Sequence, residues 1–489
     1  MPQQARRGIE RSASSPQVQY AIHDRNDFLL HIQVQLLQQI NDDIIPSPIK
    51  PDTNARYWPE FRYRIIVPDR LRISPMSEPG SSPGQLPPSS ATEANETPLR
   101  AIRRNGGIAR LPVLGWAAFA GQRHAALPSI DERRNIVYTT SGRAAIALAL
   151  RVIGCKAGDR VLVPTYHCPT MIAPVVKLGA VPEFYPLTAS GAPSMAYLAQ
   201  RGRNARAMLV AHYFGFPQPL SELRAFCDAN RIAMIEDCAH AFFGVVDGRP
   251  VGAWGDVAIA SATKFFPVVE GGCLVGDHPA LRHMNLKPRA VRDEFRAGID
   301  AVELGARYHR FPGFDLLLRT VFGLKEVMRG RPFEFVTLDD ADTVLPASVD
   351  ELDDELVLHS PTRVSRWTIL RAHRARIVAH RRRNYAMFAS ELADLPGAAP
   401  LRPQLPDTVA PYVFPLQVTN PQRRYRALRA ERVPLFRWDR VWPGTPALAD
   451  DIGHRWSTEV FQLACHQDLS ENDVRTIAGT IRRVFNTIA

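Results

Sequence analysis

The sequence predicts an α/β protein, with a large domain built on a mostly parallel sheet and a smaller α+β domain after it. Two observations support this prediction. Between residues 105 and 330, short apolar runs rich in β-branched residues alternate with single helix-like segments, which is the pattern of βαβ units. From residue 361 to 489, a long helical region, short strands and a final helix follow one another instead.

The composition is that of an ordinary globular protein. With 489 residues, of which 45% are hydrophobic and 22% charged, the chain can form roughly two or three domains. No apolar run reaches the length of a membrane span, and the N-terminal "MPQQARRGIERSASS" lacks the apolar core of a secretory signal. The six cysteines form no CxxC pair, so neither a metal site nor a disulfide framework is indicated. We expect a protein of the reducing cytoplasm without a membrane partner.

The net charge of +11 raises the question of nucleic acid binding. The arginines are spread through the chain, however, with only short clusters such as "RAHRARIVAHRRRNY" (371–385), which is interpreted as the solvated face of a helix. An anionic small substrate would suit the same charge. We therefore expect no nucleic acid partner.

Residues 1–104 differ from the rest of the chain. The stretch "SPMSEPGSSPGQLPPSSATEANETP" (74–98) is rich in Pro, Ser and Gly and is typical of a disordered linker. Upstream of it, residues 27–45 could form one amphipathic helix, and Met76 could begin a shorter functional chain. We expect this extension to be disordered and to lie outside the folded domains.

The elements of the large domain can be predicted in chain order. The hydroxyl-rich start of "TTSGRAAIALALRVIG" (139–154) predicts a helix that Gly154 closes. Helical segments separate the apolar runs that come after it, so the strands are expected to be parallel. The predicted strands are "RVLVP" (160–164), "VPEFYP" (181–186), "ARAMLVAHYFG" (205–215), "IAMIEDCA" (232–239), "VAIAS" (257–261) and "GCLVG" (272–276).

The small domain is predicted from its helices and from two apolar runs. An acidic connecting segment over 331–360 precedes a long helical region at 361–393. The last segment, 470–485, begins with a capping box in which Ser470 is the N-cap and Asp473 lies three positions later. The predicted strands are "YVFPLQV" (412–418) and "LFRWDR" (435–440).

One lysine stands out in "SATKFFPVVEGG" (261–272). The chain has six lysines against more than fifty arginines, yet here a lysine follows a serine by three positions and precedes a Gly-Gly pair. Arginine stays charged, whereas a lysine can lose its proton and attack a carbonyl. Lys264 is therefore a candidate nucleophile, and an ordinary solvated lysine is the alternative.

Two further segments add an anion anchor and an acid. "TSGRAA" (140–145) starts a helix whose backbone N–H groups, dipole and Ser141 hydroxyl could hold a phosphate, although capping alone would explain them. An apolar strand runs directly into Asp237, which places a carboxylate at the crevice edge of a parallel sheet, with capping of the next turn as the alternative. A phosphate anchor, an acid and a reactive lysine are together what pyridoxal phosphate requires.

With these motifs the sequence resembles the sugar aminotransferases of the DegT/DnrJ/EryC1/StrS group, which are fold-type I pyridoxal phosphate enzymes. The resemblance extends over roughly residues 105–489. It implies a seven-stranded sheet, pyridoxal phosphate as the cofactor, and a homodimer that completes each active site. The matching segments are "TSGRAAIALAL", "GDRVLVPTYHCPTMIAPVVKLGAVPEF", "VAHYFGFPQPLSEL", "IEDCAHAFFGVVDGRPVGAWGDVAIASATKFFPVVEGGCLV" and "LACHQDLSENDV".

The resemblance also assigns roles to single residues. Lys264 binds the cofactor aldehyde covalently and transfers protons, and Asp237 pairs with the pyridine nitrogen. His240 lies on the side of the ring hydroxyl. The residues placed at the cofactor are Ser141, Gly142, Arg143, Tyr166, His167, Asp237, His240, Ser261, Thr263 and Lys264. Of these, the Ser141–Gly142–Arg143 turn holds the phosphate together with Ser261 or Thr263, between which the sequence does not decide.

The sequence departs from the family pattern where an aromatic residue stacks on the cofactor ring. That position is Cys168 in this chain, with Tyr166 and His167 just before it. Either His167 or Tyr166 stacks instead, or the ring is covered in another way. Gly271 and Gly272 are expected to let the chain pass close to the cofactor.

The implied activity is transamination. The amino group would come from an L-amino acid, with Glu or Gln expected, and go to a keto group of a sugar, expected to be nucleotide-linked, in polysaccharide or secondary-metabolite synthesis. A pyridoxal phosphate-dependent sugar dehydratase or lyase is one alternative, against which Lys264 counts because such relatives replace it with His. A catalytically inactive binding protein on the same fold is the other. Trp438 could stack on a sugar, with packing as the alternative.

Overall fold

The structure is a computed structural model that describes residues 107–119, 127–133, 135–318, 320–322 and 352–488. The predictions for residues 1–104 and for most of the acidic segment 331–360 therefore lie outside the described residues, and the proposed domain boundaries stay predictions. Among the residues that are described, no helix is both long and apolar enough to span a bilayer.

The strands form a seven-stranded sheet, a four-stranded sheet and one short hairpin. In chain order they are β1 (Ile136–Thr139), β2 (Arg160–Pro164), β3 (Val181–Tyr185), β4 (Ala207–Ala211), β5 (Ala233–Asp237), β6 (Val245–Val246), β7 (Arg249–Pro250), β8 (Val257–Ser261), β9 (Gly272–Gly276), β10 (Ala398–Pro400), β11 (Val413–Val418), β12 (Leu435–Phe436) and β13 (Val460–Ala464). The main helices are α1 (Gly142–Val152), α2 (Pro169–Lys177), α3 (Met195–Arg201), α4 (Ser221–Asn230), α5 (Val291–Arg307), α6 (Asp354–Val357), α7 (Arg363–Arg371), α8 (Arg374–Glu391), α9 (Pro421–Ala430), α10 (Gly453–Glu459) and α11 (Glu471–Thr487).

The seven-stranded sheet has the order β1-β9-β8-β5-β4-β2-β3. Neighbours from β8 to β3 pair in parallel, and β9 runs antiparallel to both β1 and β8. The prediction of a mostly parallel sheet is thereby confirmed. Because β4, β5 and β8 are neighbours, their carboxyl ends meet at one edge of the sheet, which is where ligands bind in such folds.

Helix α1 shows why the sheet can carry a site at this edge. Ser141 is its N-cap, with the Oγ accepting the N–H of Ala144 at 3.2 Å. Every residue from Ala144 to Leu150 is buried, and small alanines let the helix pack closely on β8 and β9. After the C-cap, Gly154 takes a positive φ of 70°, as expected for the residue that ends a helix.

The four-stranded sheet has the order β10-β11-β13-β12 and is antiparallel. Helices α8 and α11 pack together beside it, and α11 begins with the predicted capping box, in which the side chains and backbones of Ser470 and Asp473 bond reciprocally. This part of the chain confirms the predicted α+β character.

The long helical region predicted at 361–393 is two helices, α7 and α8, and they are separated at Ala372 and His373. Ala372 is extended, with ψ at 144°. The His373 N–H donates to the carbonyl of Ala118 at 2.7 Å, and the His373 ring caps α8 by accepting the N–H of Arg376. A contact distant in sequence therefore breaks the helix.

The interpretation of the arginine cluster on α8 as a solvated face is wrong for three of its members. Arg374 pairs with the buried Asp131, and Arg376 pairs with Asp468. Arg381 is fully buried, with 0% of its surface exposed. Much of the basic charge on this helix serves internal contacts and is not available to an external polyanion.

Candidate active site

A cavity of about 1480 Å³ opens at the carboxyl edge of the parallel strands. Asp237 is the last residue of β5 and Ser261 the last of the adjacent β8. A 3₁₀ turn, Ala262–Lys264, follows β8 directly and brings the lysine to the same edge. The structure thus places in one cavity wall Ser141, Gly142, Arg143, Asp237, His240, Ser261, Thr263 and Lys264.

Lys264 lies in an environment that favours a neutral amine. Burial lowers its pKa, and the nearby Cys168 and Asp237 oppose that shift. Its Nζ lies 5.4 Å from the centre of the Tyr412 ring and 5.8 Å from that of the Trp438 ring. A lysine whose pKa is lowered can act as a nucleophile and as a proton carrier near neutral pH.

Asp237 lies in the floor of the site and is only 5% exposed. One carboxylate oxygen, Oδ1, accepts the N–H of Ala239 at 2.8 Å. Burial raises the pKa of Asp237, whereas the Ala239 N–H and the charge of Lys264 lower it. A cationic N–H donor placed against this carboxylate would stabilise its charged form.

His240 offers a buried N–H donor that the described residues leave unused. Its Nδ1 accepts the backbone N–H of Phe214 at 3.3 Å, so the proton of the neutral ring is assigned to Nε2. Nε2 is buried and has no hydrogen-bond partner among the described residues. Burial and the charge of Lys264 hold the pKa of His240 well below its usual range. The centre of the His240 ring lies 4.4 Å from that of Tyr412 and 4.7 Å from that of Trp438, with the ring planes tilted against each other.

The opposite end of the site is formed by α1 and the end of β8. A Cβ on Gly272 would lie 2.6 and 2.7 Å from the carbonyl carbon and oxygen of Ser141, so only glycine lets β9 approach the start of α1 this closely. The hydroxyls of Ser261 and Thr263 lie 3.3 Å apart and line the cavity beside this helix start. The structure keeps both as candidates for a phosphate contact.

These residues fit pyridoxal phosphate. The helix start and the two hydroxyls suit a phosphate, Lys264 suits an aldehyde, and Asp237 suits a protonated ring nitrogen. The unpartnered N–H of His240 suits a ring oxygen, and this buried orphan donor is the most specific sign that a polar ligand completes the site.

Tyr166 and His167 are not brought into the cavity wall, where Cys168 lies instead. The Tyr166 hydroxyl accepts a hydrogen bond from Gln462 at 3.1 Å. The His167 Nδ1 lies 3.0 Å from the Pro164 carbonyl oxygen, and its Nε2 accepts the N–H of Trp442 at 3.0 Å. Both rings are fully engaged in the core, so this geometry gives no support to a stacking role for either.

Two aromatic rings face Lys264; sequence reasoning named Trp438 as a possible ligand contact and missed Tyr412. Tyr412 precedes β11 and Trp438 follows β12, so both come from the four-stranded sheet. Trp438 had an ambiguous signal, since a tryptophan near arginines fits both packing and ligand contact. Tyr412 had none, because its position depends on how the two sheets pack.

A second polar cluster lies next to the site without belonging to it. His212, Glu236 and Cys238 are buried and close enough to hold a metal ion. Glu236 already accepts the His212 Nε2–H at 2.9 Å and the N–H groups of Gly252, Trp254 and Gly255. With its oxygens used in this way, the cluster anchors the loop between β7 and β8.

Part of the chain is similar in sequence to known proteins. Residues 126–292 match the model of the DegT/DnrJ/EryC1/StrS aminotransferase family. A GDP-perosamine synthase of Vibrio cholerae is 30% identical over 142 residues, which are 28% of this chain and 39% of that protein. An L-glutamine:scyllo-inosose aminotransferase of Streptomyces griseus is 34% identical over 174 residues, which are 34% of this chain and 41% of that protein. The chain thus matches about two fifths of the length of these curated relatives.

A solved structure extends the likeness in fold beyond that region. The sugar aminotransferase CalS13 from Micromonospora echinospora aligns with 77% of this chain and 99% of its own, at 20% identity and a TM-score of 0.50. The predicted fold-type I architecture is thereby confirmed. The residues that match this family model, 126–292, include Ser141, Asp237, His240 and Lys264.

Proposed function

We propose that this protein is a pyridoxal phosphate-dependent aminotransferase that moves an amino group from an L-amino acid to a keto group of a sugar. L-glutamate and L-glutamine are the donors proposed. One of the relatives is named as an L-glutamine-dependent aminotransferase and another as the synthase of a nucleotide-linked amino sugar, which supports both halves of the proposal.

The observation that carries the proposal is the convergence of Asp237 and Lys264 at the ends of two adjacent parallel strands. The lysine amine has a lowered pKa, and the carboxylate lies in the floor of the same cavity. An ordinary surface lysine would have a solvated ammonium with its usual pKa, so this arrangement favours chemistry at the amine.

Each side chain then has a definite task. When bound, pyridoxal phosphate supplies an aldehyde and a ring that accepts electrons. Lys264 would take up and release a proton at Nζ, the Asp237 carboxylate would accept the N–H of a protonated ring nitrogen, and His240 would donate from Nε2 to a ring oxygen. Ser261 or Thr263, with the start of α1, anchors the phosphate. The aromatic rings of Tyr412 and Trp438 exclude water from one side of the amine.

The cavity also supports an anionic acceptor, such as a nucleotide-linked sugar. Four arginines line it in addition to the cofactor residues, and positive charge of this kind raises the local concentration of an anionic substrate. They are Arg110, Arg307, Arg429 and Arg432.

A homodimer is part of the proposal. On α5, Val291 is 79% exposed and Phe295 is 72% exposed, and Leu316 nearby in sequence is 82% exposed. Large apolar side chains with this much exposure favour contact with another protein surface, and a second copy of the chain is the partner proposed. Light scattering of the purified full chain would measure its mass in solution.

The donor half-reaction tests the proposal. The protein loaded with pyridoxal phosphate is expected to lose its near-visible absorbance band when L-glutamate or L-glutamine is added, with one equivalent of the corresponding 2-oxo acid released. The matched control is the same titration with D-glutamate. If neither L-amino acid changes the spectrum nor releases a 2-oxo acid, these donors are wrong; if no amino acid does so, transamination is wrong.

A further inference from the structure

Arg381 is a buried cation that contacts the backbone of the candidate lysine. It lies in the middle of α8 and is fully buried. Its Nη2 donates to the carbonyl oxygen of Lys264 at 2.6 Å, and its Nη1 donates to the carbonyls of Tyr412 at 3.1 Å and Pro411 at 3.2 Å. Its Nε donates to Oε1 of Gln467 at 2.9 Å.

All these acceptors are neutral oxygens, so no bonded carboxylate offsets the free energy lost when the guanidinium is removed from water. A buried charge without a bonded carboxylate is destabilising unless its hydrogen bonds do something that an apolar side chain could not. Burial lowers the pKa of Arg381 to about 10, so it stays charged at neutral pH. If this side chain only filled space, a leucine or methionine would give a more stable protein.

The acceptors of Arg381 belong to two segments that are distant in sequence and meet at Lys264. The carbonyl of Lys264 belongs to the turn after β8, and the carbonyl of Tyr412 directly precedes β11. The Tyr412 ring is one of the two that face the Lys264 amine. One guanidinium therefore fixes the backbone that carries the amine and the backbone that carries the ring beside it.

Gln467 extends the same contact by one residue. Its side-chain amide accepts from Arg381 and donates from Nε2 to the carbonyl of Phe265 at 2.8 Å. The Arg381 guanidinium also lies 4.4 Å from the centre of the Phe265 ring. The carbonyls of Lys264 and Phe265 are thus both held by side chains that belong to the C-terminal part of the chain.

We propose that Arg381 is a positioning residue: together with Gln467 it holds the Lys264 turn in register with Tyr412, so that the amine meets the cofactor aldehyde in a productive orientation. The inference rests on the proposed function, because it concerns the attack of Lys264 on that aldehyde. Arg381 touches the lysine backbone and not the reacting atoms, so it acts through Lys264.

The neighbouring Arg382 offers a matched control. It lies on the same helix and donates to the carbonyls of Pro406 at 2.6 Å and Val409 at 2.7 Å, which belong to the segment that leads into Tyr412. Arg382 therefore supports the segment that precedes Tyr412 without contacting the Lys264 turn. A variant at this position removes an arginine of the same helix and leaves the lysine contact in place.

The experiment measures how fast pyridoxal phosphate becomes attached to Lys264 in the full chain. The cofactor-free protein is mixed with pyridoxal phosphate, quenched with borohydride at intervals, and digested for mass spectrometry of the Lys264 peptide. Arg381→Met is expected to slow attachment about tenfold or more, because a displacement near 1 Å can reduce such a rate strongly. Arg381→Lys should restore part of the rate, and Arg382→Met should attach the cofactor at the wild-type rate.

A second measurement separates positioning from general loss of structure. In a Lys264→Ala background, non-covalent binding of pyridoxal phosphate is measured by tryptophan fluorescence, and adding Arg381→Met should leave the affinity within about twofold if the cavity itself is intact. Should Arg381→Met fail to fold, Gln467→Leu is expected to slow attachment in the same direction.

The outcomes distinguish the two proposals. If the wild-type protein attaches no pyridoxal phosphate at Lys264, the proposed function fails. If the wild-type attaches it and Arg381→Met attaches it equally fast, the positioning role alone is overturned. It is also overturned if Arg381→Met and Arg382→Met slow attachment equally, or if Arg381→Met weakens non-covalent binding as much as it slows attachment.

Discussion

At the residue scale, burial acts on the acid and the base of the site in opposite directions. It raises the pKa of Asp237 and lowers that of Lys264, so both groups are pushed toward their neutral forms before a ligand is present. A cationic ring nitrogen would return Asp237 to its charged form, and the neutral amine of Lys264 would be ready for an aldehyde. The site is therefore poised for a ligand that carries both groups.

The charge of Asp237 can be tested with an isosteric change. Asp237→Asn keeps the volume and removes the negative charge, so the donor-driven spectral change should slow by about 10²–10³-fold, as when one electrostatic contact is lost from an active site. Stopped-flow absorbance with L-glutamate measures the rate of this spectral change. Asp228→Asn, at an exposed position of α4, is the control. Equal rates for wild-type and Asp237→Asn would remove Asp237 from the mechanism.

The functional role of a single residue could be predicted only where its neighbours in the sequence indicated it. Lys264 stood out because lysine is rare in an arginine-rich chain, and Asp237 because it ends an apolar strand. Arg381 and Tyr412 gave no such signal, since their roles come from contacts between segments far apart in sequence. Tyr166 offered an aromatic ring near the right position, yet it is fully buried in the core just after the end of β2, and local sequence does not reveal that orientation.

At the element scale, the close approach of β9 to the start of α1 predicts a sensitive glycine. Gly272→Ala would place a methyl group against the backbone of Ser141, destabilising the protein by about 1–3 kcal/mol and displacing the phosphate anchor. The affinity of the Gly272→Ala variant for pyridoxal phosphate should fall more than its affinity for pyridoxal, which lacks the phosphate. Fluorescence titration of both ligands measures the difference.

The control for this prediction is Gly298→Ala in α5, where an added Cβ would meet no atom within 4 Å. An alanine there should stabilise the helix by about 0.5–1 kcal/mol and leave both affinities unchanged. If Gly272→Ala weakens the two ligands equally, the start of α1 does not bind the phosphate.

The capping box of α11 allows a prediction about stability alone. Ser470→Ala removes the hydroxyl that accepts the Asp473 N–H, so the free energy of unfolding should fall by about 1 kcal/mol. Urea denaturation measures this change, and Ser470→Thr should retain most of the stability. The near-visible band should be unaltered in both variants. A loss of cofactor in Ser470→Ala would contradict the assignment of α11 to structure only.

Elements differed in how well the sequence indicated them. Strands β2, β8 and β9 were predicted to the residue, because each is a short and almost wholly buried apolar run. Strand β1 and helix α5 were missed: β1 alternates buried and partly exposed residues, and α5 keeps large apolar side chains exposed. The break between α7 and α8 was also missed, because it depends on the contact of His373 with Ala118.

At the scale of the whole molecule, the lowered pKa of Lys264 couples stability to pH. The unfolded chain binds the lysine proton up to its ordinary pKa near 10.5, whereas the folded chain releases it at lower pH. The unfolded state thus binds more protons between these two pKa values, so stability rises with pH across that window. Below the folded-state pKa the lysine is protonated in the folded chain as well, and burial of the charged ammonium lowers the free energy of unfolding by its full amount.

Lys264→Met should therefore stabilise the cofactor-free protein, and the gain should shrink as pH rises toward 10.5. Urea denaturation of wild-type and variant at pH 7.5 and pH 10 measures it. The exposed Lys287→Met provides the control and should show no pH-dependent difference. A gain that is constant or that grows with pH would mean that the buried amine is not the cause.

Covalent binding of pyridoxal phosphate by Lys264 can be measured on the protein itself. The purified full chain is incubated with pyridoxal phosphate, its spectrum is recorded, and borohydride is added before peptide mass spectrometry. We expect a near-visible band that borohydride abolishes, a stable adduct on the peptide containing Lys264, and neither signal in Lys264→Ala. An adduct on other lysines only, or a band that persists in Lys264→Ala, would contradict the account.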